Sequence, residues 1–329
     1  MAHALVLGAT GHIGAHVVRA LLAEGHEVRA AYRRERYLSV LEGLSLERLR
    51  VDFEAPDGLR AALEGCDWVF HAAGYYPPCT ERRERAIALG VESTRRLLSQ
   101  IRRANPQRLL FTSSAATIRR VESRPSTEED AQPWPSNEGQ PLYTTVKVAM
   151  EREVLRAHRE EGLPVVILNP SVCLGEYDAH AFSGRAILAF AKHRLPFYLG
   201  HGFNAVYTGD VGVGHVRAAQ QGRLGERYLL TCRNIQVKAF AELVARAAGV
   251  PPPRWQLPDA AASLAAGVSE VVAWVTRRPP LLPRQVVHTA RRGQYLDGGK
   301  ALRELSLPQT PLEEAIARAL AWFRQHHYL

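Results

Sequence analysis

The chain has 329 residues, 46% of them hydrophobic and 23% charged, and a net charge of +9. This composition argues against disorder and predicts a substantial core. The start of the chain lacks a basic signal-peptide region, and no stretch approaches the ~18 uninterrupted apolar residues of a membrane span. We therefore expect a soluble, cytoplasmic protein without membrane insertion.

The positive charge comes almost entirely from arginine, since only four of the 42 basic residues are lysines. The arginines are scattered among glutamates, as in 81–85, without an aromatic-basic motif, so we expect no nucleic-acid partner. The four cysteines form no C-x-x-C pair, so neither a metal site nor a disulfide framework is expected. They are Cys66, Cys79, Cys173 and Cys232.

Strand-like and helix-like segments alternate through the first half of the chain. The apolar pattern predicts strands at 4–7, 27–32, 48–53, 67–72, 108–112 and 164–168. It predicts helices at 13–23, 58–63, 85–103 and 143–160. Repeated βαβ units predict an α/β fold with a doubly wound parallel sheet.

The alternation ends after Pro170, where segments rich in Gly, Pro and aromatic residues begin. A strand and helix at 205–220 are predicted to return to the sheet near 206–210, and a last amphipathic helix covers 312–326. We therefore expect a nucleotide-binding domain over 1–170, joined by 205–232. A smaller substrate-binding domain would comprise 171–204 and 233–329.

A glycine-rich turn, Gly8-Ala-Thr-Gly-His-Ile-Gly14, separates the first strand from the first helix. Glycines allow a sharp turn and a close approach of backbone to pyrophosphate, and the helix start offers free N–H groups. The alternative is a simple strand-to-helix turn, but the position after the first strand of a βαβ series favours dinucleotide binding. The candidate contacts are Gly8, Thr10, Gly11, His12, Ile13 and Gly14.

The second strand ends in Arg33 and Arg34, with no acidic residue at its tip. A carboxylate there would bind the ribose 2′-hydroxyl of NAD, whereas a guanidinium can bind a 2′-phosphate. We therefore expect a preference for NADP(H), with NAD(H) as the alternative; the two arginines could also be ordinary surface charges. Asp52, followed by Phe53, is the candidate contact to the adenine end.

Tyr143 and Lys147 lie four residues apart and so share one helix face. A free phenol has a pKa near ~10, and a nearby ammonium would favour its ionised form. A hydroxyl partner is expected at the end of the fifth strand, where Ser113 and Ser114 follow Thr112. We expect Ser114, Tyr143 and Lys147 to be catalytic; a strand-end cap is the alternative for either serine.

Together with His71-Ala-Ala-Gly74 and Leu168-Asn-Pro-Ser171, these motifs resemble the extended short-chain dehydrogenase/reductase superfamily over nearly the whole chain. The resemblance implies a Rossmann fold and a tyrosine that acts as general acid/base. It implies a lysine that holds the nicotinamide ribose, and frequent homodimerisation through helices 85–103 and 143–160. Further cofactor contacts would come from Ala72, Ala73, Gly74, Thr112, Ser113, Pro170 and Val172.

Three departures distinguish this chain from well-known branches of the superfamily. Gly90 stands where many members carry a proton-relaying asparagine. Ala115-Ala116 replaces the Asp-Glu pair of 4,6-dehydratases, and Phe203-Asn204 replaces the Arg-Asp of many nucleotide-sugar epimerases. An apolar residue in place of a phosphate-binding arginine argues against a nucleotide diphosphate sugar.

The segment 202–206 and the carboxyl-terminal region instead resemble dihydroflavonol 4-reductase, the hydroxysteroid dehydrogenase/isomerases and a hopanoid-associated epimerase group. We expect NADP(H)-dependent hydride transfer between a small carbonyl compound and its alcohol. An epimerase without net redox change and a non-catalytic NADP-sensing regulator are the alternatives. Ser114 and five aromatic residues are expected beside the substrate, with Leu264 and Val268 from a cap helix; the aromatic residues are Tyr75, Tyr76, Phe182, Phe203 and Tyr207.

Overall fold

The computed structural model describes residues 1–52, 55, 57–78, 81–134, 139–193, 196–276, 287 and 291–329. Phe53, a predicted cofactor contact, and Cys79 lie outside these residues.

Seven parallel strands form the main sheet, in the order β10-β6-β5-β4-β1-β2-β3. The order reverses between β1 and β4, which is the switch point where doubly wound sheets bind ligands. The strands are β1 (His3–Leu7), β2 (Glu27–Tyr32), β3 (Glu47–Arg50), β4 (Trp68–His71), β5 (Arg108–Thr112), β6 (Val165–Pro170) and β10 (Arg227–Leu230). This is a Rossmann fold, as the sequence predicted, although β3 ends three residues earlier than expected.

The central strands are apolar on both faces because helices cover both sides of the sheet. Val6, Leu110 and Val166 face the cluster formed with α1 and α6. Leu5, Leu109 and Ile167 face the opposite cluster, formed with α3 and α4. The helices of the two layers are α1 (His12–Ala23), α2 (Arg60–Leu63), α3 (Arg83–Ala104), α4 (Leu142–Glu161), α6 (Thr208–Gln221) and α9 (Gly299–Leu305).

A second group of elements packs around its own apolar cluster. Its strands form a three-stranded sheet in the order β11-β9-β7 and a two-stranded pair of β8 with β12. They are β7 (Val172–Leu174), β8 (Phe197–Tyr198), β9 (Gly202–Tyr207), β11 (Arg233–Gln236) and β12 (Trp255–Gln256). The helices are α5 (Gly184–Ala191), α7 (Val237–Ala248), α8 (Asp259–Thr276) and α10 (Leu312–Gln325).

One topological prediction is wrong. The strand expected to rejoin the main sheet near 206–210 is β9, which pairs with β7 and β11 instead. The chain returns to the main sheet through α6, which packs on α1, and through β10, which pairs with β6. The division into domains stays a prediction, as does dimerisation through α3 and α4.

Among the described residues, no helix is both long and apolar enough to span a membrane.

Candidate active site

The glycine turn packs tightly between β1, α1 and the segment after β4. Gly8 has a φ of +83°, and a Cβ there would lie 2.8 Å from the backbone nitrogen of Ala73. A Cβ on Gly14 would lie 2.1 Å from the carbonyl oxygen of Gly8. Larger side chains at these positions would therefore push the turn away from the switch point of the sheet.

The first turn of α1 presents backbone donors that the protein leaves open. Within the described residues, the N–H groups of His12, Ile13 and Gly14 have no acceptor, whereas that of Ala15 reaches Gly11. A Cβ on Gly11 would meet only the oxygen of Gly8, at 3.2 Å, so the protein leaves this side of the turn open. Free N–H groups at a helix start suit an anionic pyrophosphate.

The side chain of His12 takes part in a different contact. Its Nε2 lies 2.9 Å from the hydroxyl of Thr208 at the start of α6. Burial lowers the pKa of His12, partly offset by the carboxylates of Asp178 and Glu176, so the imidazole is neutral at neutral pH. A neutral imidazole has no charge to attract a phosphate, so the open backbone N–H is the donor of His12 that best suits one.

The tip of β2 carries exposed guanidinium groups. Arg33 and Arg34 have no carboxylate partner in the described part of the chain. Burial lowers the pKa of the nearby His180, and so do the charges of Arg36 and Arg34. Arg34 and Arg36 therefore both lie near His180, and the sequence reasoning missed Arg36. The other predicted adenine-side contact, Asp52, is exposed in the segment after β3.

Tyr143 and Lys147 lie in the first two turns of α4, which begins at Leu142. Lys147 is 2% exposed, and its Nζ lies 5.9 Å from the centre of the Tyr143 ring. In the described part of the chain, this ammonium makes no hydrogen bond or salt bridge. It lies against Gly74, where a Cβ would be 2.9 Å from Nζ. The glycine after β4 thus makes room for the buried ammonium.

The phenol of Tyr143 faces two other hydroxyl groups. Burial raises its pKa, and hydrogen bonds from Ser114 and Tyr76 lower it to a smaller extent. Burial has the largest effect on this pKa and Lys147 is not among the groups that shift it, so the expectation that Lys147 holds the phenol ionisable stays a prediction. Tyr143 is therefore protonated at neutral pH, which is the form that can donate a proton.

Ser113 and Ser114 have different partners. The hydroxyl of Ser113 donates to Glu151 at 2.5 Å, and that of Thr112 donates to His215 at 2.9 Å. Each hydroxyl donates its one hydrogen within the protein, so neither can donate to a cofactor, and the cofactor contacts expected of Thr112 and Ser113 stay a prediction. The Oγ of Ser114 accepts the N–H of Ala116 at 3.1 Å, which leaves its own hydrogen free to donate.

Glu151 anchors the helix that carries the tyrosine and the lysine. One oxygen of its buried carboxylate accepts hydrogen bonds from Ser113, Thr117 and Asn169, and the other pairs with Arg227 at 2.5 Å. The sequence reasoning missed this residue. The available signal was its spacing, since Tyr143, Lys147 and Glu151 repeat every four residues and share one helix face.

Unpaired buried polar atoms lie where β4 and β6 end, at the edge where parallel sheets bind ligands. They are His71 Nδ1, Asn169 Oδ1 and Ser171 Oγ. Ser171 stands between Pro170 at the end of β6 and Val172, which is 39% exposed. A bound nicotinamide ring with its carboxamide would offer partners to such groups, so the residues present fit the cofactor.

The predicted substrate aromatics divide into two groups. Tyr76 stacks on Tyr143 with 5.3 Å between the ring centres, and the ring centre of Phe182 lies 4.9 Å from that of Tyr76. Tyr207 is buried in the apolar cluster around β9 and Phe203 packs against it, so their expected position beside substrate stays a prediction. Tyr75, likewise, packs against the cluster of α3 and α4. Two further expected pocket residues, Leu264 and Val268 of α8, are largely exposed.

Among the described residues, no group of three or more His, Cys, Asp or Glu side chains could hold a metal ion.

Comparison with known proteins identifies the fold family. The model of the NAD dependent epimerase/dehydratase family matches residues 4–230. The chain belongs to this family. It is an extended short-chain dehydrogenase/reductase, and therefore an NAD(P)-dependent enzyme.

Two relatives in this family align over almost the whole chain. One is a "Putative dihydroflavonol 4-reductase" of Synechocystis sp., 32% identical over 98% of this chain and 95% of the relative. The other is "Sterol demethylase protein B" of Methylococcus capsulatus, 33% identical over 98% of both chains. The solved structure of a nucleoside-diphosphate-sugar epimerase from Pseudomonas aeruginosa is 28% identical, with a TM-score of 0.81 over 100% of this chain and 99% of its own.

Burial of the Lys147 ammonium should lower the folding stability of this epimerase/dehydratase family member. Burial lowers the pKa of Lys147 to about 8, while the charge of Glu151 raises it. The unfolded chain therefore binds more protons between pH 8 and about 10.5, so stability should rise with pH across that interval. At pH 7 we expect Lys147→Met to increase the free energy of unfolding of the cofactor-free protein by about 1–3 kcal/mol.

Urea unfolding of both proteins at several pH values would measure this difference, which should shrink above pH 8. Lys238→Met, at an exposed position on α7, is the matched control and should change stability little at any pH. If Lys147→Met were less stable than the wild type at pH 7, the buried ammonium would not be destabilising and the prediction would be wrong.

Proposed function

We propose that the protein is an NADP(H)-dependent oxidoreductase that interconverts a carbonyl and an alcohol. One observation carries this proposal: the hydroxyl of Ser114 is near enough to the phenol of Tyr143 to lower its pKa, and the buried ammonium of Lys147 lies 5.9 Å from the centre of the Tyr143 ring. A carbonyl oxygen between the two hydroxyls would accept a hydrogen bond from each. The reductase names among the relatives support the same reaction class.

In this proposal each residue has one task. Ser114 donates its free hydrogen to the substrate oxygen, and Tyr143 donates the proton that converts the developing alkoxide to the alcohol. Lys147 would hold the nicotinamide ribose through its unused ammonium donors. NADPH supplies the hydride when it is bound. Glu151 keeps Ser113 out of the reaction and fixes α4 by its hydrogen bonds.

The substrate we propose is an apolar carbonyl compound without a diphosphate. Tyr76 and Phe182 present aromatic surface next to Tyr143. A dihydroflavonol such as dihydroquercetin and a 3-ketosteroid such as androstenedione represent the classes named by the relatives. The loss of NADPH absorbance with either ketone, in one-to-one ratio with the alcohol formed, would test the proposal.

Epimerisation is the second candidate, favoured by the likeness to the nucleoside-diphosphate-sugar epimerase. The two reactions differ in their net consumption of cofactor, because an epimerase regenerates its cofactor in each turnover. Interconversion of sugar epimers without consumption of NADPH, together with no turnover of ketones, would favour the epimerase.

The preference for NADPH would come from the guanidinium groups at the end of β2. We expect Arg33→Ser combined with Arg34→Ser to raise the KM for NADPH about 10–100-fold, since one or two charge-assisted hydrogen bonds to the 2′-phosphate are lost. The KM for NADH should change less than about twofold. Steady-state rates with both cofactors would measure this, and Arg246→Ser, at an exposed site on α7, is the control. Equal losses with NADPH and NADH would contradict the assignment.

A further inference from the structure

Helix α8 turns its larger apolar side chains towards solvent. Its buried face contains Ala262 and Ala266, both 0% exposed. On the opposite face, Leu264, Val268 and Val272 are 72%, 57% and 51% exposed. These three residues repeat every four positions and form one line along the helix, which we call the α8 stripe. A surface helix normally has the reverse arrangement, so such an exposed apolar face marks a contact with another protein or with a membrane.

An exposed tryptophan lies on the side of the small sheet that α8 covers. Trp255 is part of β12, and Leu257, two residues further on, packs against the buried face of α8. Residues two apart in an extended segment point to the same side, so Trp255 points towards the side on which α8 lies. Trp255 is 67% exposed. Exposed indole rings are typical of surfaces that contact the headgroup region of a bilayer.

Exposed arginines flank the stripe. Arg254 directly precedes the tryptophan in β12, and its side chain is exposed. Arg291 donates to the hydroxyl of Ser263 on α8 at 3.0 Å, which places the exposed Arg292 next to the same helix. Neither Arg254 nor Arg292 forms a salt bridge with another described residue. Their guanidinium groups can therefore contact an anionic surface.

The acidic residues of α8 already have partners within the protein. Asp259 pairs with Arg291, with 3.0 Å between the two groups. Glu270 also has an interaction within the chain. The face therefore presents apolar side chains, an indole ring and unpaired positive charges together. An anionic bilayer has the complementary chemistry, with negative charge at its surface and apolar chains directly below.

We propose that this face, formed by the α8 stripe with Trp255, Arg254 and Arg292, docks on the surface of an anionic lipid bilayer without spanning it. The stripe and the indole would enter the boundary between headgroups and acyl chains, while the guanidinium groups contact lipid phosphates. A second copy of the chain suits the face less well. Three aliphatic side chains and one indole cover far less than the ~800 Å² per partner that a stable protein interface buries. Docking involves neither the catalytic residues nor the cofactor site, so it does not depend on the proposed reaction.

The test is vesicle binding by sedimentation, without substrate or cofactor, at about 0.1 M salt. The wild type should bind vesicles of phosphatidylcholine and phosphatidylglycerol in equal amounts. Leu264→Ser combined with Val268→Ser should weaken this binding about 10–100-fold, because two aliphatic side chains no longer leave water. Arg254→Ser combined with Arg292→Ser should weaken it about 10–30-fold, and should change binding to pure phosphatidylcholine vesicles less than about twofold.

Leu224→Ser combined with Leu302→Ser is the matched control. It removes two aliphatic side chains that are 45% and 43% exposed, in the turn after α6 and on α9. This variant should bind the mixed vesicles like the wild type. Urea unfolding should show that both double variants keep wild-type stability, since all four positions are exposed.

Four results would each overturn the proposal. The first is a wild-type protein that does not bind the mixed vesicles, and the second is equal binding by the stripe variant and its control. The third is complete loss of wild-type binding in about 1 M salt, which would show attraction by net charge alone, because salt does not screen the stripe. The fourth is a wild-type dimer that the stripe variant converts to a monomer in sedimentation equilibrium, which would assign the face to a second copy.

Discussion

Tyr143→Phe is expected to lower kcat for ketone reduction by about 10²–10⁴-fold, the usual contribution of a positioned general acid. The variant keeps the ring and its stacking on Tyr76 and loses only the proton donor. NADPH binding should be unchanged, because the open backbone donors of α1, the arginines after β2 and Lys147 all remain. Steady-state kinetics and a fluorescence titration with NADPH would measure the two effects separately.

Tyr198→Phe is the control for this substitution, since Tyr198 lies in β8, within the second group of elements. It should retain wild-type kcat. If Tyr143→Phe kept more than about a tenth of wild-type kcat, this phenol would not be the general acid. A general acid contributes a factor of about 10² or more to kcat. Loss of turnover with normal NADPH binding would also exclude a regulator that only senses the cofactor.

The parts of the fold that the sequence predicted best depend on local patterns. The strands around the switch point are mainly apolar, with a histidine at one end of each, and the glycine turn joins β1 to α1. These signals need no knowledge of distant partners. The sheet that β9 joins could not be predicted in this way, because its apolar residues suit the main sheet and the small sheet equally well. Only the pairing of residues far apart in sequence distinguishes the two.

The candidate site shows the same limit at the level of side chains. The spacing of Tyr143 and Lys147 fixes their shared helix face, whereas the different partners of Ser113 and Ser114 depend on Glu151, almost 40 residues away. Phe203 and Tyr76 are both aromatic residues in glycine-containing segments, yet one packs in a core and the other lies against Tyr143. Residue type alone cannot separate these fates, because aromatic side chains serve cores and binding surfaces equally.

Glu151→Gln is expected to lower the free energy of unfolding by about 3–5 kcal/mol, because it leaves the charge of Arg227 unpaired next to buried polar groups. Every partner of the Glu151 carboxylate is a donor, and they are Ser113, Thr117, Asn169 and Arg227. An amide replaces one accepting oxygen with a donating NH₂ group, so either orientation of glutamine opposes a donor to a donor. For a domain stabilised by roughly 5–15 kcal/mol, this is a large fraction of the total.

Glu153→Gln provides the matched control two residues further along α4. Glu153 pairs with Arg95, whose side chain is mostly exposed, and with Arg156, so the loss should stay within about 1 kcal/mol. Urea unfolding of both variants would measure the difference. Combining Glu151→Met with Arg227→Met should recover part of the loss, since removing both charges avoids the unpaired one. Equal stability of Glu151→Gln and Glu153→Gln would mean that the buried carboxylate does not hold the catalytic helix in place.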